Sequence, residues 1–218
     1  MEMVKNRFLI GYYGYWVILT YLNAVAGLAG IYFSLGGNVR YALMCLMAAG
    51  LCDGFDGRVA SLKKRTDREK SYGIQIDAFA DIISFGLLPV FIGYTFVKDN
   101  STPSLLIFYL IISAVFVLTA LIRLAYFNVI ETEFLLKSEK RIFFTGLPVT
   151  SVSMIIPVIY SLYSFLNLSL SAAYLIMLMF ISISFIANVR VPKPRGRSLI
   201  FLCLAVLPAA IYIIFIGS

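Results

Sequence analysis

Residues 52–86 read CDGFDGRVASLKKRTDREKSYGIQIDAFADIISFG, and the reading of this stretch decides the fold. Two apolar segments flank a strongly basic turn, and each carries two aspartates: Asp53 and Asp56 before it, Asp77 and Asp81 after it. Spacings of three and four residues put each pair on one helix face. Asp56 lies seven residues before Lys63 and Asp77 seven after Lys70, while Asp53 lies ten before and Asp81 eleven after. At about 1.5 Å of rise per residue, both pairs sit roughly 10–16 Å below the charged turn. An antiparallel helical hairpin over this stretch brings four carboxylates to one level.

The rest of the chain defines what surrounds that hairpin. Of 218 residues, 61% are hydrophobic and 13% charged, with a mean hydropathy of +0.93. A soluble domain averages about 45–50% apolar and about 25% charged, and a globule of this size lacks the interior to hide the excess. The remaining solvent is a bilayer. Apolar runs of the length that crosses one occur near 15–35, 40–62, 72–97, 103–128, 146–165, 170–189 and 198–217. Only Asn167 and Ser169 separate the fifth run from the sixth. The expectation is an all-α integral membrane protein, a polytopic helical bundle of about seven spans forming one membrane domain over 15–218. Residues 1–14 are too polar to span. With Phe8, Leu9 and Ile10 followed by Tyr12, Tyr13, Tyr15 and Trp16, they read as an interfacial amphipathic helix with an aromatic anchor.

Charge placement orients the bundle. The net charge is +7 with a pI near 9.3, yet of the Lys and Arg residues only Arg40 and Lys98 fall on one set of loops. The others gather at the N-terminus and toward loops 62–71, 130–141 and 190–197. That asymmetry puts the basic side at the cytoplasm in a cell membrane and makes nucleic acid an unneeded partner. Cys45, Cys52 and Cys203 have no metal-ligand spacing and read as small buried hydrophobes. Histidine is absent, which excludes His-based zinc sites and Ser-His-Asp triads. The start of the chain has no short apolar core followed by a cleavage site, so no signal peptide is expected.

Four carboxylates beneath a membrane surface need counter-charge, because each costs several kcal/mol to bury unpaired. Two divalent cations held by Asp53, Asp56, Asp77 and Asp81 would supply it. An all-oxygen set favours magnesium or manganese, with calcium also admissible. Gly57 and Gly73 withhold side chains where a ligand or a neighbouring backbone must come close.

The pattern D-x2-D-G-x2-A…G-x3-D-x3-D, met by Asp53, Asp56, Gly57, Ala60, Gly73, Asp77 and Asp81, resembles the signature of the CDP-alcohol phosphatidyltransferases. The resemblance implies a six-helix membrane core and displacement of CMP from a CDP-linked lipid by an alcohol. The segments DGFDGRVA, SFGLLP, LIRLAYFNV, FTGLPVTS and ANVRVPKP, between about Asn23 and Pro194, are similar to the branch whose acceptor is L-serine. The implied donor is CDP-diacylglycerol or its ether analogue CDP-archaeol, the implied general base is Asp81, and Asn23 matches the family's asparagine that suggests a liponucleotide contact. Two departures stand out. Ser61 occupies a place where the family usually has arginine, and the stretch from there to Gly73 is longer than usual. Arg58, Lys63, Lys64 or Arg65 are the cations available to replace it at the lipid phosphate.

For the acceptor, Ser84 lies one turn beyond Asp81, and Arg123, deep in the fourth span, suits the carboxylate of serine. Two other readings stay open: a different acceptor such as inositol phosphate or glycerol phosphate, and a cation or proton transporter. Acids confined to one hairpin count against the transporter. A homodimer is a further expectation, and the small-residue face around Gly27 and Gly30 would allow close helix contact.

Overall fold

The computed structural model describes residues 10–98, 102–137, 143–166, 170–188, 190–192 and 207–215. A 3-10 turn at Tyr15–Val17 leads into α1 (Ile18–Leu35), and α2 follows (Val39–Ser61). Next come α3 (Asp67–Asp81), a π-helical turn (Ile82–Leu87), α4 (Leu88–Val97) and α5 (Pro103–Lys137). Strand β1 (Phe143–Thr145) precedes a second 3-10 turn (Val149–Ser151), α6 (Val152–Phe165), α7 (Leu170–Ile186) and β2 (Arg190–Pro192). Residues 207–215 are helical.

Among the described residues, three helical stretches are long and apolar enough to cross a bilayer: Tyr15–Leu35, Asp67–Val97 and Pro103–Phe134. Val149–Phe165 and Ser171–Ile186 are shorter apolar helices. Helix α2, with 23 residues, has the length to span but carries Arg40, Asp53, Asp56 and Arg58. Leu22, Phe108, Leu118 and Phe180 point outward and are about half exposed or more. This outward apolar surface suits lipid as solvent, and the chain is a multi-pass membrane protein. Of the expected last span over 198–217, only 207–215 falls within the described residues.

The α3–α4 rod is the central post. Half of its most apolar window (50%) is buried, against 33% for Tyr15–Leu35 and 28% for Pro103–Phe134. Phe85, Leu88 and Ile92 project from it into a core completed by Leu43 and Leu46 of α2, Phe116 of α5 and Leu178 of α7. The π turn in this rod has a local cause. Pro89 lacks an N–H, and its ring clashes with the carbonyl four residues back in a regular helix. The wider turn over Ile82–Leu87 absorbs that conflict and re-registers α4 relative to Asp81. The carbonyl of Pro89 accepts from Tyr174 Oη at 2.8 Å, and that of Val90 from Tyr109 Oη.

Helix α1 lies against both α2 and α3, whereas α2 and α3 do not pack along their lengths. Its glycines make this possible. A Cβ on Gly27 would lie 2.9 Å from Ser84 Cα, and one on Gly30 would lie 2.9 Å from Leu88 Cδ1 and 3.1 Å from Cys45 Cβ. The small-residue face expected to serve a second copy is therefore consumed within the chain.

Several boundaries differ from the sequence reading. Helix α3 starts at Asp67, inside the expected loop 62–71, because Thr66 Oγ1 accepts from Glu69 N at 3.3 Å while Glu69 Oε2 accepts from Thr66 N at 2.9 Å. Helix α5 runs through the expected loop 130–141 as far as Lys137, since no Gly or Pro follows Pro103 within it. At about 1.5 Å per residue its 35 residues exceed the thickness of a hydrocarbon core. Of the expected interfacial helix at 1–14, residues 1–9 lie outside the described residues and 10–14 are not helical, with Gly11 at φ +119°. The two segments holding FTG and VRVP are brought together as an antiparallel ribbon, Phe144 opposite Val191 and Thr145 opposite Arg190. This short pair of strands is an addition to an otherwise helical fold.

Candidate active site

Asp53 and Asp56 come from the C-terminal half of α2, Asp77 and Asp81 from the last turn or so of α3. One carboxylate oxygen from each of Asp53, Asp56 and Asp77 lies within 4.8 Å of the others. Asp81, 6% exposed, sits against Asp53. All four predicted carboxylates thus meet at one level. They meet around α1: Thr20 Oγ1 donates to Asp56 Oδ2 at 3.3 Å, and Asn23 Nδ2 donates to Asp81 Oδ1 at 3.1 Å. Residues 20 and 23 share a face of α1, so one helix holds a carboxylate of each neighbour.

The donor set fits a hard divalent cation. Three carboxylate oxygens converge within a few ångströms, and Asp77 Oδ1 is buried with no hydrogen-bond partner. A buried, unsatisfied carboxylate oxygen costs the full desolvation of that atom, so its persistence points to a ligand. Asp81 stands outside the mutually close trio, and Asn23 donates to one of its oxygens.

Asp56, Asp77 and Asp81 form the floor of a cavity of about 390 Å³. Gly57, Ala60 and Gly73 line it beside Asp56, Asp77 and Asp81. Gly57 meets no atom within 4 Å of where a Cβ would stand, so its side of the cavity is open. The facing wall is α5, with Arg123, Phe127, Asn128 and Glu131, and the rim adds Trp16, Arg65, Lys70 and Thr150. Carboxylates below and three cations around them make a chamber suited to a metal-bridged, multiply charged anion.

Arg123 is 5% exposed, with its guanidinium 4.4 Å from the Phe127 ring centroid. It donates to Phe185 O at 3.2 Å and Gly146 O at 3.5 Å. Gly146 is required there: its φ is +72°, and a Cβ would lie 2.9 Å from Ala187 O. Arg123 therefore ties the C-terminal end of α7 and the β1–α6 connection to the cavity, a favourable place for a cation.

The other predicted residues divide. Asn23 and Ser84 lie behind the cavity wall, where Ser84 Oγ donates to Asn23 O at 2.9 Å and both residues are fully buried. Arg58, Ser61 and Lys64 are exposed and off the cavity lining. Arg58 reaches back over Phe55, at 5.9 Å from its centroid, and Ser61 Oγ donates to Arg58 O at 2.6 Å. Of the four cations considered as replacements for the motif arginine, Arg65 is the one on the wall. Thr20, Lys70 and Glu131 line the cavity without having been singled out from the sequence. For Lys70 a signal existed: the T-x-x-E box at Thr66 starts α3 early enough to put Lys70, Gly73, Asp77 and Asp81 on one stripe.

Comparison with known proteins agrees with this geometry. The family model for CDP-alcohol phosphatidyltransferase matches residues 17–187. The chain is 27% identical over 179 residues to a CDP-diacylglycerol–serine O-phosphatidyltransferase of Helicobacter pylori, covering 81% of this chain and 70% of that one. It is 31% identical over 179 residues to an archaetidylserine synthase of Methanothermobacter thermautotrophicus, covering 82% and 70%. With a CDP-diacylglycerol–serine O-phosphatidyltransferase of Saccharomyces cerevisiae the identity is 30% over 169 residues, covering 73% and 56%.

Proposed function

Because this chain belongs to the CDP-alcohol phosphatidyltransferase family, we propose that it transfers a phosphatidyl or archaetidyl group from the CDP-linked lipid to the hydroxyl of L-serine, releasing CMP. Family membership sets the transporter reading aside. The choice of serine is supported by the activities named for the bacterial, archaeal and yeast relatives. The observation that carries the chemistry is the meeting of Asp53, Asp56 and Asp77 oxygens within 4.8 Å, with Asp81 beside them, under a cation-rimmed cavity.

In this reading Asp53, Asp56 and Asp77 would hold two divalent cations, magnesium or manganese, with Asp81 beside them as the base. When bound, the cations would neutralise the diphosphate and stabilise the departing CMP. Asn23 donates to Asp81 Oδ1 and orients the carboxylate, which takes the proton of the serine hydroxyl. The serine oxygen forms a bond to the lipid-bearing phosphorus as the bond from that phosphorus to the CMP oxygen breaks. Arg123, on the cavity wall and fixed by the carbonyls of Phe185 and Gly146, faces the serine carboxylate. The apolar α5 face and the membrane keep the lipid chains alongside, with the active site opening to the cytoplasmic side of the cell membrane and a homodimer as the working unit.

The test is CMP release by the purified protein from CDP-diacylglycerol with magnesium or manganese and each of L-serine, inositol phosphate and glycerol phosphate. Release that depends on L-serine is expected, and Asp81→Asn should lower it by about 100-fold or more. Release with a phosphorylated acceptor alone would overturn the assignment of serine.

A further inference from the structure

The chain has one tryptophan, and it stands at the rim of the active-site cavity. Trp16 is 2% exposed and packs with Val17, Ala60 and Tyr12. Its surroundings are braced: the Tyr12 and Tyr72 rings lie 5.0 Å apart, and Tyr21 Oη donates to Tyr12 O at 2.9 Å and meets Tyr72 Oη at 2.9 Å. Two cations approach the indole, Lys63 Nζ at 5.7 Å and Arg65 Cζ at 5.5 Å from the ring centroid. Their situations differ. Lys63 is paired with Glu69 at 2.7 Å, within the capping box that starts α3. Arg65 makes no salt bridge among the described residues and lines the cavity together with Asp56 and Asp77.

Gly73 completes the arrangement. A Cβ there would lie 3.2 Å from Arg65 Nη1 and 3.5 Å from Trp16 Cζ3, so the glycine clears the shelf on which the guanidinium rests. A planar guanidinium held this way presents its N–H fork to a phosphate without first having to be ordered. The long Lys63–Thr66 turn has no helical scaffold of its own, so the indole face supplies the fixed surface.

Building on the transferase reading above, we infer that Trp16 is a positioning residue that holds Arg65 at the cavity mouth as a contact for the diphosphate of the CDP-linked lipid. The role belongs to binding of the liponucleotide and leaves acceptor binding and the chemical step alone. Neither residue lies within the carboxylate cluster.

Trp16→Leu, Trp16→Phe, Arg65→Gln and the double variant Trp16→Leu/Arg65→Gln test this, with KM for CDP-diacylglycerol, KM for L-serine and kcat measured for each. Trp16→Leu should raise KM for the CDP-lipid by about two- to thirtyfold, with Trp16→Phe recovering much of it. KM for serine and kcat should stay within about twofold of the parent values. Arg65→Gln should raise the same KM, and the double variant should be no worse than Arg65→Gln alone. Since Trp16 is the sole tryptophan, adding CDP-diacylglycerol should also change the intrinsic fluorescence of the parent and much less that of Arg65→Gln. Additive losses in the double variant, or equal effects on both substrates, would overturn the inference. Should Trp16→Leu fail to fold, the fluorescence comparison of parent and Arg65→Gln decides it. Absence of serine-dependent CMP release in the parent would defeat the functional reading instead, while the fluorescence response would still report on Arg65.

Discussion

Asp77 is the carboxylate whose neutralisation separates two effects that coincide in the parent: repulsion inside the acidic trio and binding of a divalent cation. Two unit charges 4.8 Å apart interact by about 3.5 kcal/mol at an effective dielectric of about 20. Asp77→Asn removes at most two of the three pairwise terms in the trio, a ceiling of about 7 kcal/mol reached only when all three carboxylates are ionised. The metal-free variant should therefore unfold at a temperature no lower than the metal-free parent. A cation present at about 100 times its dissociation constant adds about 2.7 kcal/mol to a protein that binds it only when folded. For a chain of this length that is a rise of about 5–11 °C in Tm. The assay is thermal unfolding in detergent with EDTA against saturating magnesium or manganese, for parent and variant. The parent should show the rise and the variant most of its loss, because Asp77 Oδ1 is buried without a hydrogen-bond partner in the parent. An equal metal-dependent rise in both proteins, or a metal-free variant less stable than the metal-free parent, would refute the trio as a cation site.

Three further outcomes follow from hydrogen bonds in and around the site. Ser84→Ala should leave KM for L-serine unchanged and cost about 1 kcal/mol in stability, because its hydroxyl is spent on the Asn23 carbonyl behind the cavity wall; Arg123→Lys, on the wall itself, should raise KM for L-serine in the same CMP-release assay. Thr66→Ala should lower stability by about 1 kcal/mol, read as a lower Tm in detergent, since it removes one half of the box that starts α3.

Sequence periodicity and length carried the membrane architecture and the shared depth of four aspartates. Both are properties of single helices: a spacing of three or four fixes a face, a count of residues fixes a depth, and an excess of apolar residues fixes the solvent. The T-x-x-E box at Thr66 was equally local, and reading it would have moved the start of α3 and exposed Lys70 as a cavity residue. What no local rule could supply is the third partner. Asp56 and Asp81 are held by Thr20 and Asn23 because α1 lies against both α2 and α3, an arrangement set by how Gly27 and Gly30 admit the neighbouring helices. The same holds for the cations. Arg58, Lys63, Lys64 and Arg65 are equivalent in a one-dimensional count of charge, and only packing distinguishes them, turning Arg58 toward Phe55, tying Lys63 to Glu69 and laying Arg65 on Trp16. Helix spacing determines which side chains share a face; the close approach of separate helices determines which of those faces meet, and with it which charge reaches the site.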